Sequence, residues 1–462
     1  MASCAHPNLH CEPSSRAAEV GYIQPTLHQR LAATQPSGRA PSRKNGSTAV
    51  QDTLPPDTTF PAPLVLPGDE LAHDPKYPAQ SLRSWSNMMR PRINAAPERR
   101  VLYIVPPPEL DDSVSYAQDW TQPDGIKAQL PPPNLTDITE YLQAFYHAFE
   151  VKTLTNPTLT FTSWDTKPPK PLKQNQPLPL GLTTATSTYR ITTRPTPSPS
   201  PLYPIQLNLN DLLDTAIAIL PPDAYALLLL THHDLYEDAQ DDFCCGRAYG
   251  GSRVAVVSTA RYKPLLDVQQ EVEREHAWPA SHCTDYVRWS CYEQDDLPAA
   301  RSPIPSSSDT KQARKRKRAS KPSAHNPPGT STPMSAALTT YAALPTPKSK
   351  TALTHLWLSR VCKTAAHELG HCVGLDHCTY YACLMQGTAG LAEDARQPFY
   401  LCPVDSAKVD RALGGVEEEG EKGRCKALLE FCGRFQGDRG FGALGAWLGV
   451  RLRELELERG GG

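Results

Sequence analysis

The sequence has no apolar run long enough to cross a membrane as a helix. Its longest, AYALLLLT at residues 224–231, fits a buried strand. The first residues, MASCAHPNLHCEPSS, lack the basic start and apolar core of a secretory leader. The expected location is therefore cytoplasmic, nuclear or both, and not secreted. A formal net charge of −2 gives no global attraction to nucleic acid or to an anionic membrane. There is no internal repeat, and the paired two-ligand spacings of zinc fingers are absent. Neither a membrane nor a nucleic acid is an expected partner. A reducing location disfavours disulfides, so the 13 cysteines, an odd number, read as metal ligands and free thiols.

Proline, in contrast, is abundant. The 462 residues contain 47 prolines, clustered at 36–70, 104–133, 167–204 and 303–347. Such stretches bury too little apolar surface to offset the entropy of ordering them. On this basis residues 1–80 are expected to be a disordered tail. Residues 81–440 form one domain, with a low-complexity insertion at about 293–350, and 441–462 are a C-terminal tail. The insertion contains KQARKRKRASK, residues 311–321. This basic run reads either as a site for a nuclear import receptor or phosphate groups, or as a solvated charged linker.

Between the proline clusters, hydrophobic periodicity predicts regular elements. Strands are expected at 101–105, 157–164, 225–231 and 253–260. Helices are expected at 135–150, 206–220, 352–373 and 424–435, with a short charged helix at 266–278. The fold class is α+β. Lys363 is expected to face solvent.

Residues 367–387, HELGHCVGLDHCTYYACLMQG, carry the chemistry. His367 and His371, four apart, share one face of a helix and point at a common metal. Gly374 can take the left-handed conformation that ends the helix, so that the returning chain supplies His377 as third ligand. Three neutral nitrogens leave one coordination position open, as in a catalytic zinc. Glu368 sits where its carboxylate reaches a metal-bound water and acts as general base. A His-Glu-x-x-His pair alone is compatible with satisfied core histidines. The added glycine and third histidine, with Met385 eight residues beyond it, favour the metal.

The segment after His377 narrows the reading. Cys378 follows directly, then Cys383 before Leu384-Met385, then Cys402 within LCPVD. With the histidine motif, this pattern resembles the archaemetzincins, a metzincin family of zinc metallopeptidases. DAYALLLLTHHDLY (223–236) and FCCGRAYGGSRVAVVSTARY (243–262) resemble the family's central strand and its next hairpin and edge strand. The resemblance spans roughly residues 99–435 and implies a twisted mixed sheet with packed helices, a zinc helix and a small C-terminal subdomain. It implies that residues 253–260 are the edge strand above the metal, that Met385 is the floor beneath it, and that peptides or proteins are the substrates. Part of the family looks aminopeptidase-like; internal and N-terminal cleavage both stay open for this chain.

The resemblance also implies a second, structural zinc on four cysteines. Three positions match, Cys378, Cys383 and Cys402; the fourth is Asp405. Asp405 itself can complete the site, because zinc accepts carboxylate oxygen. Cys425 or Cys432 can replace the missing thiol. Alternatively no second zinc binds and the cysteines are buried thiols. For the whole chain, the competing functional readings are a catalytically silent zinc-binding scaffold and a nuclear interaction protein.

Overall fold

The computed structural model describes residues 4, 6, 8–41, 54–95, 98–156, 158–164, 177–197, 202–292, 331–412 and 420–460. A mixed sheet of five strands lies at its centre. The strands are β1 (Val101–Val105), β2 (Glu150–Thr153), β3 (Ala224–Thr231), β4 (Gly246–Tyr249) and β5 (Val254–Ser258), in spatial order β4-β5-β3-β1-β2. Strands β5, β3, β1 and β2 run parallel, with Val256 opposite Leu229 and Ile104 opposite Leu228. Strand β4 is antiparallel to β5, from Gly246 opposite Val257 to Tyr249 opposite Val254.

Both faces of the sheet are covered, which is why β3 reads as a continuous apolar run. Ala226, Leu228 and Leu230 enter one core with Leu102, Ile104, Ala255 and Val257. Leu227 and Leu229 enter the opposite core with Val254 and Val256. The long helix Lys350–Cys372 packs on β5, β4 and β3 from the first side, next to the helix Leu135–Phe145. The helix Leu209–Ala218 packs on β5 from the other side. Two smaller sheets lie beyond the main one, one of four strands and one of three.

The edge strand differs from the expectation. Residues 253–260 are interior, because β5 pairs with β3 on one side and β4 on the other. The two edges of the sheet are β4 and β2; the edge next to β5 is β4, which lies in the segment expected to form a hairpin. Residues 205–208 form a strand before the helix Leu209–Ala218 begins. At 266–278 there is no regular helix; only the short turns Pro264–Leu266 and Arg274–His276 form. The Asp267 carboxylate is bound instead by Arg360, at 2.7 and 2.9 Å, and by Arg274 at 2.6 Å.

The terminal boundaries are also corrected. Residues 8–41 and 54–80 are packed rather than a free tail. Phe60, Ala62, Leu64, Val65 and Leu66 are buried. Prolines at 61, 63 and 67 do not prevent this, because an extended chain needs few ladder hydrogen bonds. The available backbone groups find partners: Ala382 N–H donates to Pro61 O at 2.9 Å, and Ala62 N–H to Cys11 O at 2.9 Å.

The segment 441–462 is not a tail either. It lies largely in the helix Arg439–Gly460, whose Phe441, Leu444, Trp447 and Leu448 are buried. This helix covers a second one, Pro333–Ala343, which buries Met334, Ala337 and Tyr341. The two helices pack on each other, and Trp447 and Met334 also reach Tyr400. The low-complexity reading therefore fails for 331–350. Residues 293–330, including the basic run 311–321, lie outside the described residues.

Candidate metal centres

The helix Lys350–Cys372 starts at Ser349, whose hydroxyl accepts from Ala352 N–H at 3.1 Å. It ends in a Schellman arrangement. Gly374 has φ +90° and donates its N–H to His371 O at 2.9 Å, while Leu375 N–H donates to Gly370 O at 3.0 Å. The reversal returns the chain so that His377 meets His367 and His371. One ring nitrogen from each of the three lies within 4.8 Å of the others.

The outer nitrogens are all engaged. His367 Nδ1 bonds Leu384 O at 2.7 Å, and His371 Nδ1 bonds Leu375 O at 2.7 Å. His377 Nδ1 bonds Glu70 Oε1 at 2.8 Å. A carbonyl oxygen only accepts, so His367 and His371 carry their protons on Nδ1 and turn lone pairs inward on Nε2. Those two Nε2 atoms face each other at 3.0 Å. Opposed lone pairs fit a shared cation, and an outer partner for every ligand is the usual companion of a histidine metal site. Burial lowers the His371 pKa to about 4 and lowers that of His367 strongly, which keeps both rings neutral. Burial opposes charge on His377 too, but the Glu70 carboxylate more than offsets it and raises its pKa.

Glu368 lies beside the triad, with its pKa raised to about 7 by burial, against the pull of His377 and Arg247. It opens on a cleft of about 770 Å³ shared by the histidines and by Gly246, Arg247 and Ala248 of β4. The β4 edge of the sheet therefore borders the triad. Met385 is fully buried against the helix at Gly370, where a Cβ would lie 2.5 Å from its sulfur.

A second cluster lies on the loop beyond. Cys378, Cys383, Cys402 and Asp405, all buried, place one donor atom each within 4.8 Å of the others. Asp405 Oδ2 is 3.3 Å from both Cys383 Sγ and Cys402 Sγ, and its Oδ1 is 2.8 Å from Lys408 Nζ. Burial, then the Cys378 thiolate, raises the Asp405 pKa to about 6 against the pull of Lys408. Cys425 and Cys432 sit on the helix Gly420–Gly433 and are not part of this cluster. All 13 cysteines are free thiols. Tyr380, Tyr381 and Tyr400 are buried.

Several supporting residues escaped the sequence reading. Glu70 comes from the segment assigned to the tail. Gln80 donates to Gly374 O at 3.0 Å and to Asp376 Oδ2 at 2.9 Å, and Trp85 Nε1–H donates to Val373 O at 3.1 Å. The apolar run FPAPLVLP, residues 60–67, was the available signal that this segment packs. Lys363 is buried, not solvent-facing; it pairs with Asp394 Oδ2 at 3.3 Å and donates to the Asp394 carbonyl.

Comparison with known proteins agrees with the motif. The model of Peptidase family M54 matches residues 345–410. Archaemetzincin-2 of Rattus norvegicus is 47% identical over 79 residues, 17% of this chain and 21% of that protein. Archaemetzincin-1 of Homo sapiens is 42% identical over 59 residues, 13% of this chain and 12% of that one. The matched segment thus spans about a fifth of the length of the first of these relatives or less. A crystal structure of archaemetzincin from Methanopyrus kandleri aligns with 69% of this chain and 97% of its own, at 18% identity and a TM-score of 0.28. The archaemetzincin resemblance holds over the segment carrying the histidines and cysteines. No helix among the described residues is long and apolar enough to cross a membrane.

Proposed function

We propose that this chain, M54-like over residues 345–410, is a zinc-dependent metallopeptidase. The observation that carries the reading is the triad, with two Nε2 lone pairs opposed at 3.0 Å beside the buried Glu368 in a cleft bordered by a free sheet edge. His367, His371 and His377 would hold the catalytic ion. Bound there, zinc supplies Lewis acidity toward water and the scissile carbonyl oxygen. Glu368 acts as general base and then general acid: its carboxylate takes a proton from the attacking water and delivers it to the nitrogen of the leaving amine. Burial raises the Glu368 pKa, which favours its holding the proton between the two transfers. An extended peptide would add as a further strand along β4, its backbone reading the free N–H and C=O groups of that edge.

Cys378, Cys383, Cys402 and Asp405 would hold a second zinc of structural role. Three thiols and a carboxylate are a zinc donor set. Lys408 fixes the outer oxygen of Asp405 and leaves the inner one facing the thiols.

The test is metal analysis of the full chain together with an unbiased peptide-library screen. Wild type should contain zinc and cleave. Glu368→Ala should keep the metal and lose about 10²- to 10⁴-fold in rate. Near-normal turnover in Glu368→Ala would remove the assigned mechanism. A zinc-loaded wild type without cleavage would leave the scaffold reading.

A further inference from the structure

A third group of metal-ligating side chains lies apart from both clusters. Cys4 Sγ and one ring nitrogen each of His6 and His276 lie within 4.8 Å of one another. A further candidate donor adjoins Cys4 alone, outside that three-residue group: Cys283 Sγ is 3.2 Å from Cys4 Sγ. We propose that Cys4, His6, His276 and Cys283 form a separate binding site for a thiolate-accepting divalent cation of the zinc class.

Three further observations support this site. First, the nitrogens are available. His276 is 6% exposed, and its Nε2 and that of His6 are buried without a hydrogen-bond partner. Leaving such atoms unpaired is costly, and a cation satisfies them. Second, His276 has an outer carboxylate partner. Its Nδ1 lies 3.0 Å from Glu273 Oε1, within ion-pair distance but without the hydrogen-bond geometry that Glu70 has with His377. Third, the backbone holds the two halves together. Leu9 bridges to Cys283, His10 N–H donates to His282 O at 2.6 Å, and Thr284 N–H donates to Asn8 O at 2.9 Å. This short pairing ties residues 8–10 to 282–284, and Tyr286 stacks on the His276 ring at 4.1 Å.

Two cysteines and two histidines match a closed, structural donor set, with no position left for water or substrate. Such a site would clamp the N-terminal segment onto the body of the chain. The same segment goes on to supply Glu70, so the clamp would stabilise the peptide that carries an outer partner of the triad.

The test uses the full chain, purified under reducing conditions, with zinc counted by elemental analysis and intact mass. Cys4→Ser should lose one zinc per chain relative to wild type. His6→Cys keeps a donor at that position and should retain the wild-type count. Neither residue touches the histidine triad, so peptidase activity at saturating zinc should be unchanged in both, which separates failure here from failure of the peptidase reading. An unchanged zinc count in Cys4→Ser would overturn the proposal. So would loss of zinc from both variants, or an intact mass 2 Da low that marks a Cys4–Cys283 disulfide in place of the ion.

Discussion

Glu70 Oε1 accepts a hydrogen bond from His377 Nδ1 at 2.8 Å, across 307 residues of sequence. The contact joins an N-terminal segment to the last of the three inward-facing histidines. It fixes the His377 ring and makes it a better donor to a cation. Glu70 is itself held, its N–H donating to Glu393 Oε2 at 2.9 Å. The adjacent Asp69 pairs with Arg396.

Glu70→Ala should therefore weaken zinc binding at the triad by about 10- to 100-fold, the usual effect of losing an outer partner. Chelator competition reads the affinity. Excess zinc should restore most of the activity, and Glu70→Gln, which keeps an acceptor oxygen, should fall between. Wild-type affinity in Glu70→Ala would make the contact incidental.

Asp405 and Lys408 predict a divided response. Asp405→Cys should make the second zinc harder to strip with chelators, because thiolate is a softer ligand than carboxylate. Asp405→Ala removes a ligand and also leaves Lys408 buried without its partner, so it should cost about 3–5 kcal/mol in stability. Zinc stoichiometry and denaturant unfolding of the two variants separate the effects. One zinc fewer in wild type than in Asp405→Cys would mean that the natural cluster does not hold its ion.

Lys363→Met should test the buried pair under the triad helix. Lys363 is 2% exposed and its partner Asp394 is nearly as enclosed. Removing the ammonium leaves the Asp394 carboxylate without its counter-charge, so a clear drop in Tm is expected. A surface lysine would leave Tm unchanged, and that result would contradict the placement.

Trp447→Ala tests the C-terminal helix. Trp447 is 1% exposed, stacks on Tyr400 at 4.4 Å, and donates Nε1–H to Thr59 O at 3.2 Å. Its loss should cost about 3–5 kcal/mol in urea unfolding. The same logic predicts that deletion of 331–347 loses soluble protein, since Met334 and Ala337 are fully buried against this helix's neighbourhood. An unchanged unfolding midpoint in Trp447→Ala would restore the view of residues 441–462 as a tail.

The convergence of the candidate site residues is legible in the sequence. A His-Glu-x-x-His pair needs only the helical repeat to converge, and Gly374 needs only its missing Cβ to reverse the chain. So His367, His371, His377 and Glu368 were found together, as were Cys378, Cys383, Cys402 and Asp405. The choice of Asp405 over Cys425 or Cys432 was not, because it depends on which helix faces the loop. Nor was the edge strand: alternation identifies a strand but not its neighbours, and β4 is too short and polar to outrank β5. Glu70, Glu273 and the Cys4 cluster were hidden because hydrogen-bond partners hundreds of residues apart carry no local pattern. Composition misled most at the ends. Proline and glycine lower the tendency to order alone, but segments 54–80 and 439–460 are ordered by the apolar surface they cover, and only the tertiary structure decides which surface that is.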